Sequence, residues 1–161
     1  MTERKAIFYG KVHLIPGIIC DGYVLDDNTA VLSERGTADL LALDQAALNR
    51  MMTKGIPKTL EPFINKDLCM MTELVKVLAK NSPYQGREIV VYNSSIIENF
   101  IKGYALALAS HALRENQKHI GDRCVILACS LVRTALETAI KEACGFVPEV
   151  QKTAQKNFDD Y

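Results

Sequence analysis

The sequence of 161 residues predicts a single α+β domain. Three observations support this prediction. β-forming residues dominate positions 1–33, short helical periodicities follow over 37–80, and the longest helical periodicities occupy 95–146. A polar tail, 147–161, completes the chain. We therefore expect a small N-terminal antiparallel β-meander, short helices, and a long C-terminal antiparallel helical hairpin.

The N-terminal meander is predicted from three runs of β-forming residues, at 6–15, 18–25 and 29–32. Pro16-Gly17 separates the first two runs, and an Asp-Asp-Asn sequence at 26–28 separates the second from the third. Both are typical turn sequences. A further β-rich run at 87–92 is expected to pair with this meander.

Short helices are predicted between the meander and the C-terminal hairpin. Leucines and alanines at helical spacing predict one helix at 39–43 and another at 44–52, with a break near Asp44. A third helix is predicted over 67–80 from the spacing of its apolar residues, which are Leu68, Met71, Leu74, Val75 and Leu78.

The C-terminal hairpin is predicted from two long helices, 95–115 and 119–144, joined by a short polar turn. Ser94 or Ser95 is the candidate N-cap of the first helix. In the second helix, apolar residues cover about half of the circumference. They are Cys124, Val125, Ala128, Cys129, Leu131, Val132, Ala135, Leu136, Ala139, Ile140 and Ala143. Gly145 follows them, and glycine is favoured at the left-handed residue that ends a helix.

Four aliphatic residues of the hairpin lie outside its main apolar faces. They are Leu106, Leu113, Ile126 and Leu127. A solvated helix rarely carries aliphatic side chains on both sides. Two interpretations stay open: either the helices are buried on both sides within a larger core, or these four residues form an interface between subunits. The second interpretation predicts a homo-oligomer.

Charge argues against general electrostatic binding of nucleic acid. The chain has 19 basic and 19 acidic residues, whereas a phosphate-binding surface usually shows a basic excess. A helix-turn-helix at 39–52 offers few groups for base or phosphate contacts, namely Gln45, Asn49 and Arg50. A DNA-binding regulator is therefore the alternative hypothesis, with a local basic patch near the hairpin turn. Its candidate residues are Arg114, Lys118, Arg123, Arg133 and Lys141.

The sequence carries no recognised catalytic motif. Glycine-rich phosphate loops, HExxH and GxSxG are all absent from it. We therefore expect no catalytic residue, no cofactor and no metal site. A hydrolase or nuclease that uses Glu137 or Glu142 is the remaining enzymatic hypothesis. It has no positive support, because residues five apart do not share a helix face.

Cysteine usage and hydropathy favour a cytoplasmic protein. The five cysteines are scattered and form no paired pattern, as is typical of core residues in a reducing compartment. They are Cys20, Cys69, Cys124, Cys129 and Cys144. Neither a secretory signal nor an apolar run of about 20 residues is visible in the sequence. We therefore expect no membrane partner.

Short segments in collinear order are similar to a known family. They are Tyr9-Gly10, Ile18-Ile19-Cys20, 23–27, 31–36, 60–64, 103–108, Gln117 and 142–146. Together they resemble a phage-associated domain family whose name is spelled P-sixty-three-C, over nearly the whole chain. Two departures occur near the end, where the family has an aspartate at the position of Lys141 and a threonine at that of Cys144. A third replaces its leucine-glycine by Leu43-Asp44.

The resemblance implies a biological setting. The family looks like an accessory domain of phage and prophage proteins, and it is a companion of KilA-N and BRO-type modules, which are DNA-binding or antirepressor proteins. This implies a noncatalytic regulatory protein in a bacterial host cell, acting through homo-oligomerisation and contacts with an unknown protein partner. The alternative, a DNA-binding regulator, would then be antirepressor-like.

Overall fold

The structure is a computed structural model that describes residues 4–68 and 70–146. Its main elements are β1 (Lys5–Ile15), β2 (Ile18–Leu25), β3 (Ala30–Ser33), α1 (Glu34–Leu41), α2 (Gln45–Lys54), β4 (Glu73–Val77), β5 (Glu88–Asn93), α3 (Ser94–Ala109) and α4 (Lys118–Ala143). Single 3₁₀ turns lie at Glu61–Phe63 and Glu115–Gln117. The chain divides into two compact units, Met1–Ala128 and Cys129–Tyr161. The single domain expected from the sequence stays a prediction.

The five strands form a closed barrel in the order β1-β2-β3-β5-β4. β1, β2 and β3 are antiparallel neighbours, as predicted for the meander. β5 pairs with β3, so the expected pairing of the run at 87–92 is confirmed. β4 runs antiparallel to β5 and parallel to β1, where Lys5 lies opposite Lys76 and Ala6 opposite Val77. The sheet is therefore a barrel, where the sequence predicts an open meander.

The inside of the barrel is filled by apolar side chains. The buried cluster consists of Ala6, Tyr23, Leu25, Val31, Val75, Val77, Ala79 and Val91. The hydroxyl of Tyr23 lies 2.9 Å from Oγ of Ser82, so the buried phenol has a hydrogen-bond partner. Gly22 lets β1 and β2 pack closely, because a Cβ there would lie 2.5 Å from Cγ2 of Val12. The barrel interior is thus a packed core.

One arginine contacts both β4 and the β2–β3 turn where the barrel closes. Arg4 donates to both carboxylate oxygens of Glu73, at the start of β4. It also donates to Oδ2 of Asp27 at 2.7 Å and to Oγ1 of Thr29 at 2.9 Å, in the β2–β3 turn. Hydrogen bonds from Thr29 and Arg4 lower the pKa of Asp27 to about 2. Because Arg4 reaches both elements, it holds β4 and the turn against the start of β1.

Helices α1 and α2 follow the barrel strand β3 directly. Oγ of Ser33 accepts the Gly36 N–H at 3.0 Å, which caps α1 at its start. The first helix therefore begins at Glu34, before the predicted position 39. It ends at Ala42, whose φ of 59° is left-handed. The predicted break near Asp44 is confirmed, because α2 starts just after that residue.

Helix α3 supplies much of the core beside the barrel. Its N-cap is Asn93, whose Oδ1 accepts the Ile96 N–H at 2.9 Å, so neither predicted cap, Ser94 or Ser95, fills that role. Its buried apolar residues are Ile96, Ile97, Phe100, Ile101, Gly103, Tyr104 and Ala107. The helix ends at Ala109, earlier than the predicted 115.

Helix α4 matches the second predicted helix, 119–144, to within one residue at each end. Only its first turns are buried, at Ile120, Gly121, Cys124 and Leu127. Gly121 packs tightly, because a Cβ there would lie 2.7 Å from Cδ1 of Leu113. The structure does not confirm the predicted hairpin, since α3 and α4 make no extended contact with each other.

The predicted helix over 67–80 is wrong, because this segment contains β4. Val75 and Val77 are buried, whereas Leu74 and Lys76 are exposed, which is the alternation of a strand. The apolar spacing fits a helix as well, but pairing with β5 and β1 on either side decides in favour of a strand. The predicted tail, 147–161, lies outside the described residues.

Candidate interaction surface on helix α4

The second half of α4 exposes large aliphatic side chains. Val132 is 65% exposed, Leu136 59% and Ile140 55%. All residues from 132 to 146 are exposed. Single exposed aliphatic residues are common in proteins, but a continuous group of them usually marks a contact surface.

The exposed aliphatic residues lie along one face of the helix. We define the α4 stripe as Cys129, Val132, Leu136, Ala139, Ile140 and Ala143. Without Ile140, its members are separated alternately by three and four residues. This is the spacing of the a and d positions in a coiled coil, where each side chain inserts between four residues of the facing helix. Ile140 lies beside Ala139 and widens the apolar surface.

The charged residues beside the stripe balance one another. Between 129 and 146 they are Arg133, Glu137, Lys141 and Glu142, with a net charge of zero. Glu137 and Lys141 are four residues apart, with the acid nearer the N-terminus, which is the favourable order on a helix. Two copies of this segment would therefore not repel each other through net charge.

The end of α4 is closed by a Schellman motif. Gly145 has a φ of 74°, as the sequence predicts for the residue that ends the helix. The Phe146 N–H donates to the Lys141 carbonyl at 2.8 Å, and the Gly145 N–H donates to the Glu142 carbonyl at 3.1 Å. Nζ of Lys141 lies 5.4 Å from the centre of the Phe146 ring. The carbonyls of Lys141 and Glu142, in the last turn of α4, therefore have hydrogen-bond donors.

The four predicted interface residues divide into two groups. Leu106 and Ile126 are 54% and 56% exposed, so both are available to a partner. Leu113 and Leu127 are buried within the first unit, and their assignment to an interface is wrong. Their neighbours in the core already cover them, for example Gly121 against Leu113.

The predicted nucleic-acid contacts also have different environments. Nη1 of Arg123 donates to the Asp39 and Leu40 carbonyls, at 2.9 and 3.2 Å, in the last turn of α1. Nζ of Lys118 forms an ion pair with Glu115 at 2.8 Å. The other candidates, Arg114, Arg133 and Lys141, are exposed. Arg123 has a structural role, because a cation at a helix C-terminus stabilises that helix.

The cysteines of α4 and the cysteine that follows it differ in burial. Cys124 is buried, and burial raises the pKa of its thiol to about 12. Cys129 and Cys144 are exposed. Within residues 4–68 and 70–146, no group of three histidine, cysteine or acidic side chains is arranged to hold a metal ion.

The signal for the α4 stripe is present in the sequence, on the apolar face of the second predicted helix. The four predicted interface residues exclude that face, yet its Leu136 is exposed whereas Leu127, one of the four, is buried.

Comparisons with known proteins place the chain in no family. No family model, curated protein or solved structure matches it. The resemblance to the phage-associated family therefore stays a prediction. Among the described helices, none has the length and hydropathy needed to cross a membrane.

Proposed function

We propose that the protein is a noncatalytic regulatory or accessory protein of phage or prophage type, acting through self-association of the α4 stripe. The exposure of Val132 and Leu136, which lie at coiled-coil spacing with Ala139, and of Ile140 beside them carries the self-association. The sequence resemblance alone supports the phage setting, the location in the cytoplasm of a bacterial host and a further protein partner.

A second copy of the chain is the occupant that fits the stripe best. A coiled-coil surface needs a partner helix with the same repeat, and a second copy carries that repeat in the same order. The balanced charges beside the stripe also allow two identical surfaces to meet. Full burial of one such aliphatic side chain contributes about 1.5–3 kcal/mol, and more than half of each remains exposed in a single chain.

Self-association is tested by the molar mass of the protein in light scattering over a range of concentrations. We expect the mass to rise from 17.9 kDa to that of a dimer or larger species. The double substitution Leu136→Glu/Ile140→Glu places two carboxylates within the stripe. It should weaken association about 100-fold or more, because burying an unpaired charge costs several kcal/mol.

The matched control is Ile19→Glu/Leu74→Glu, which adds the same charge at an exposed isoleucine and an exposed leucine outside the stripe. It should associate as the wild type does. A wild-type protein that stays at the mass of one chain would contradict self-association. Equal weakening by both double substitutions would show that the α4 stripe is not the surface.

The alternative of a DNA-binding regulator can be tested in the same experiment. Arg123 and Lys118 are engaged within the protein, so only part of the predicted basic patch is available for phosphates. We expect no change of mass when a generic DNA duplex is added at low salt. Binding that appears at low salt and falls steeply as salt rises would favour the alternative.

A further inference from the structure

A cleft of about 430 Å³ lies within the first unit, between α2 and the segment that leads into α4. One wall is a single face of α2, formed by Ala47, Arg50, Met51 and Lys54. The opposite wall is formed by Asn116, Gln117, His119 and Ile120. The volume lies in the range of sites that bind small organic molecules.

Two of the side chains that line this cleft carry a positive charge and can only donate hydrogen bonds. The side chains of Arg50 and Lys54 are exposed, and neither pairs with another described residue. Oε1 of Gln117 accepts from Thr59 Oγ1 and from the Arg114 N–H, both at 3.0 Å. Its amide NH₂ is therefore the group that can donate to a ligand.

The cleft also has an apolar side that is fixed in place. Met51 is buried, and its sulfur accepts from the Tyr104 hydroxyl at 3.5 Å. Burial raises the pKa of Tyr104 to about 12, so this phenol stays neutral. Ala47 and Ile120 extend the apolar surface on the two walls. A ligand would meet a preformed surface, because these contacts already exist without it.

Charge favours an anionic ligand. The described residues that line the cleft include one acidic residue, Asp44, and two basic residues, Arg50 and Lys54. Arginine and lysine together suit a phosphate group, which offers three acceptor oxygens. The amides of Asn116 and Gln117 add uncharged hydrogen-bonding groups on the opposite wall.

We infer that this cleft binds a small organic phosphate of nucleotide size. Its phosphate contacts Arg50 and Lys54, and its flat, less polar part lies over Ala47 and the accessible edges of Met51 and Ile120, within reach of the two amides. This site is separate from the α4 stripe, so either proposal can fail without the other.

The test is a titration of the full chain with adenosine 5′-monophosphate, followed by calorimetry and by backbone amide NMR. We expect saturable binding that shifts the resonances of α2 and of residues 116–120. Arg50→Gln/Lys54→Gln should weaken binding about tenfold or more, the effect of losing a charge-assisted hydrogen bond. Ala47→Leu should weaken it similarly by filling the apolar side while leaving the charges in place.

The control Arg35→Gln/Arg87→Gln removes two exposed arginines that do not line the cleft. It should bind within about twofold of the wild type, since isolated surface charges contribute little. Melting temperatures of all variants show whether each is folded. Equal weakening of binding by Arg50→Gln/Lys54→Gln and by the control Arg35→Gln/Arg87→Gln would overturn the inference. So would inorganic phosphate binding as tightly as the nucleotide, or binding of single-stranded oligonucleotides without binding of the mononucleotide.

Discussion

The two halves of α4 have similar apolar content, but only the first half buries large apolar side chains. In the first half, the apolar side chains are buried at Ile120, Cys124 and Leu127. In the second half, they are exposed at Val132, Leu136 and Ile140. Helical periodicity is present in both halves. Periodicity therefore shows which face of a helix needs a partner, whereas only the structure shows whether the same unit supplies that partner.

The two α4 thiols give the largest expected difference between these halves. In dilute protein, where no second copy covers the α4 stripe, Cys129 should react with iodoacetamide about 1000-fold faster than Cys124 at pH 8, because only the thiolate reacts and burial both raises the pKa of Cys124 and blocks access. Mass spectrometry of peptides from the labelled protein locates each modification. Comparable labelling of Cys124 in the folded protein would show that the first half of α4 is not packed as described.

The next largest expected difference is in the free energy of unfolding when one leucine in each half is replaced by alanine. Leu127→Ala should lower the free energy of unfolding by about 2–5 kcal/mol, because it removes a fully buried side chain and leaves a cavity. Leu136→Ala at the same dilute concentration should change it by less than about 0.5 kcal/mol, as for other exposed positions. Urea unfolding at low protein concentration measures both. A large effect of Leu136→Ala in the monomer would mean that the second half is packed within one chain.

The smallest expected difference is in the free energy of unfolding when one arginine in each half is replaced by alanine. Arg123→Ala should lower the free energy of unfolding by about 1 kcal/mol, because two carbonyls at the end of α1 lose their donor. Arg133→Ala removes an exposed arginine from the second half and serves as the control. Its expected effect is within about 0.5 kcal/mol. The same urea experiment measures both. Equal changes in the free energy of unfolding would contradict the structural role of Arg123.

The local parts of the fold are predictable from sequence, whereas the closure of the barrel is not. Pro16-Gly17 predicts the β1–β2 turn, and Gly17 has the positive φ that such a turn favours. β4 is mistaken for a helix because a strand of five residues shows too few repeats to separate a period of two from one of 3.6. Its pairing with β5 and with β1, which lies about 70 positions earlier in the sequence, decides its conformation.

The interface residues are predicted only in part, for a related reason. Leu113 is placed on the first helix, but α3 ends at Ala109, so Leu113 belongs to no face of that helix. It packs instead against the first turn of α4, where Gly121 leaves room for it. A helical projection gives the direction of a side chain and not the neighbour that fills that direction. The cleft beside α2 is not predictable from sequence for the same reason, since its walls lie far apart in the chain.

The parallel pairing of β1 with β4 also sets an order of events in folding. Lys5 and Lys76 are about 70 positions apart, and the entropy lost in joining two points of a chain grows with their separation. The β1–β2 and β4–β5 hairpins join residues much closer in sequence, so they form at lower entropic cost. β1 and β4 share two residue pairs, the fewest of any strand pairing in the barrel, and two further N–H groups just after β4 donate to the Ala6 carbonyl. We therefore expect this seam to be the first part of the barrel to open.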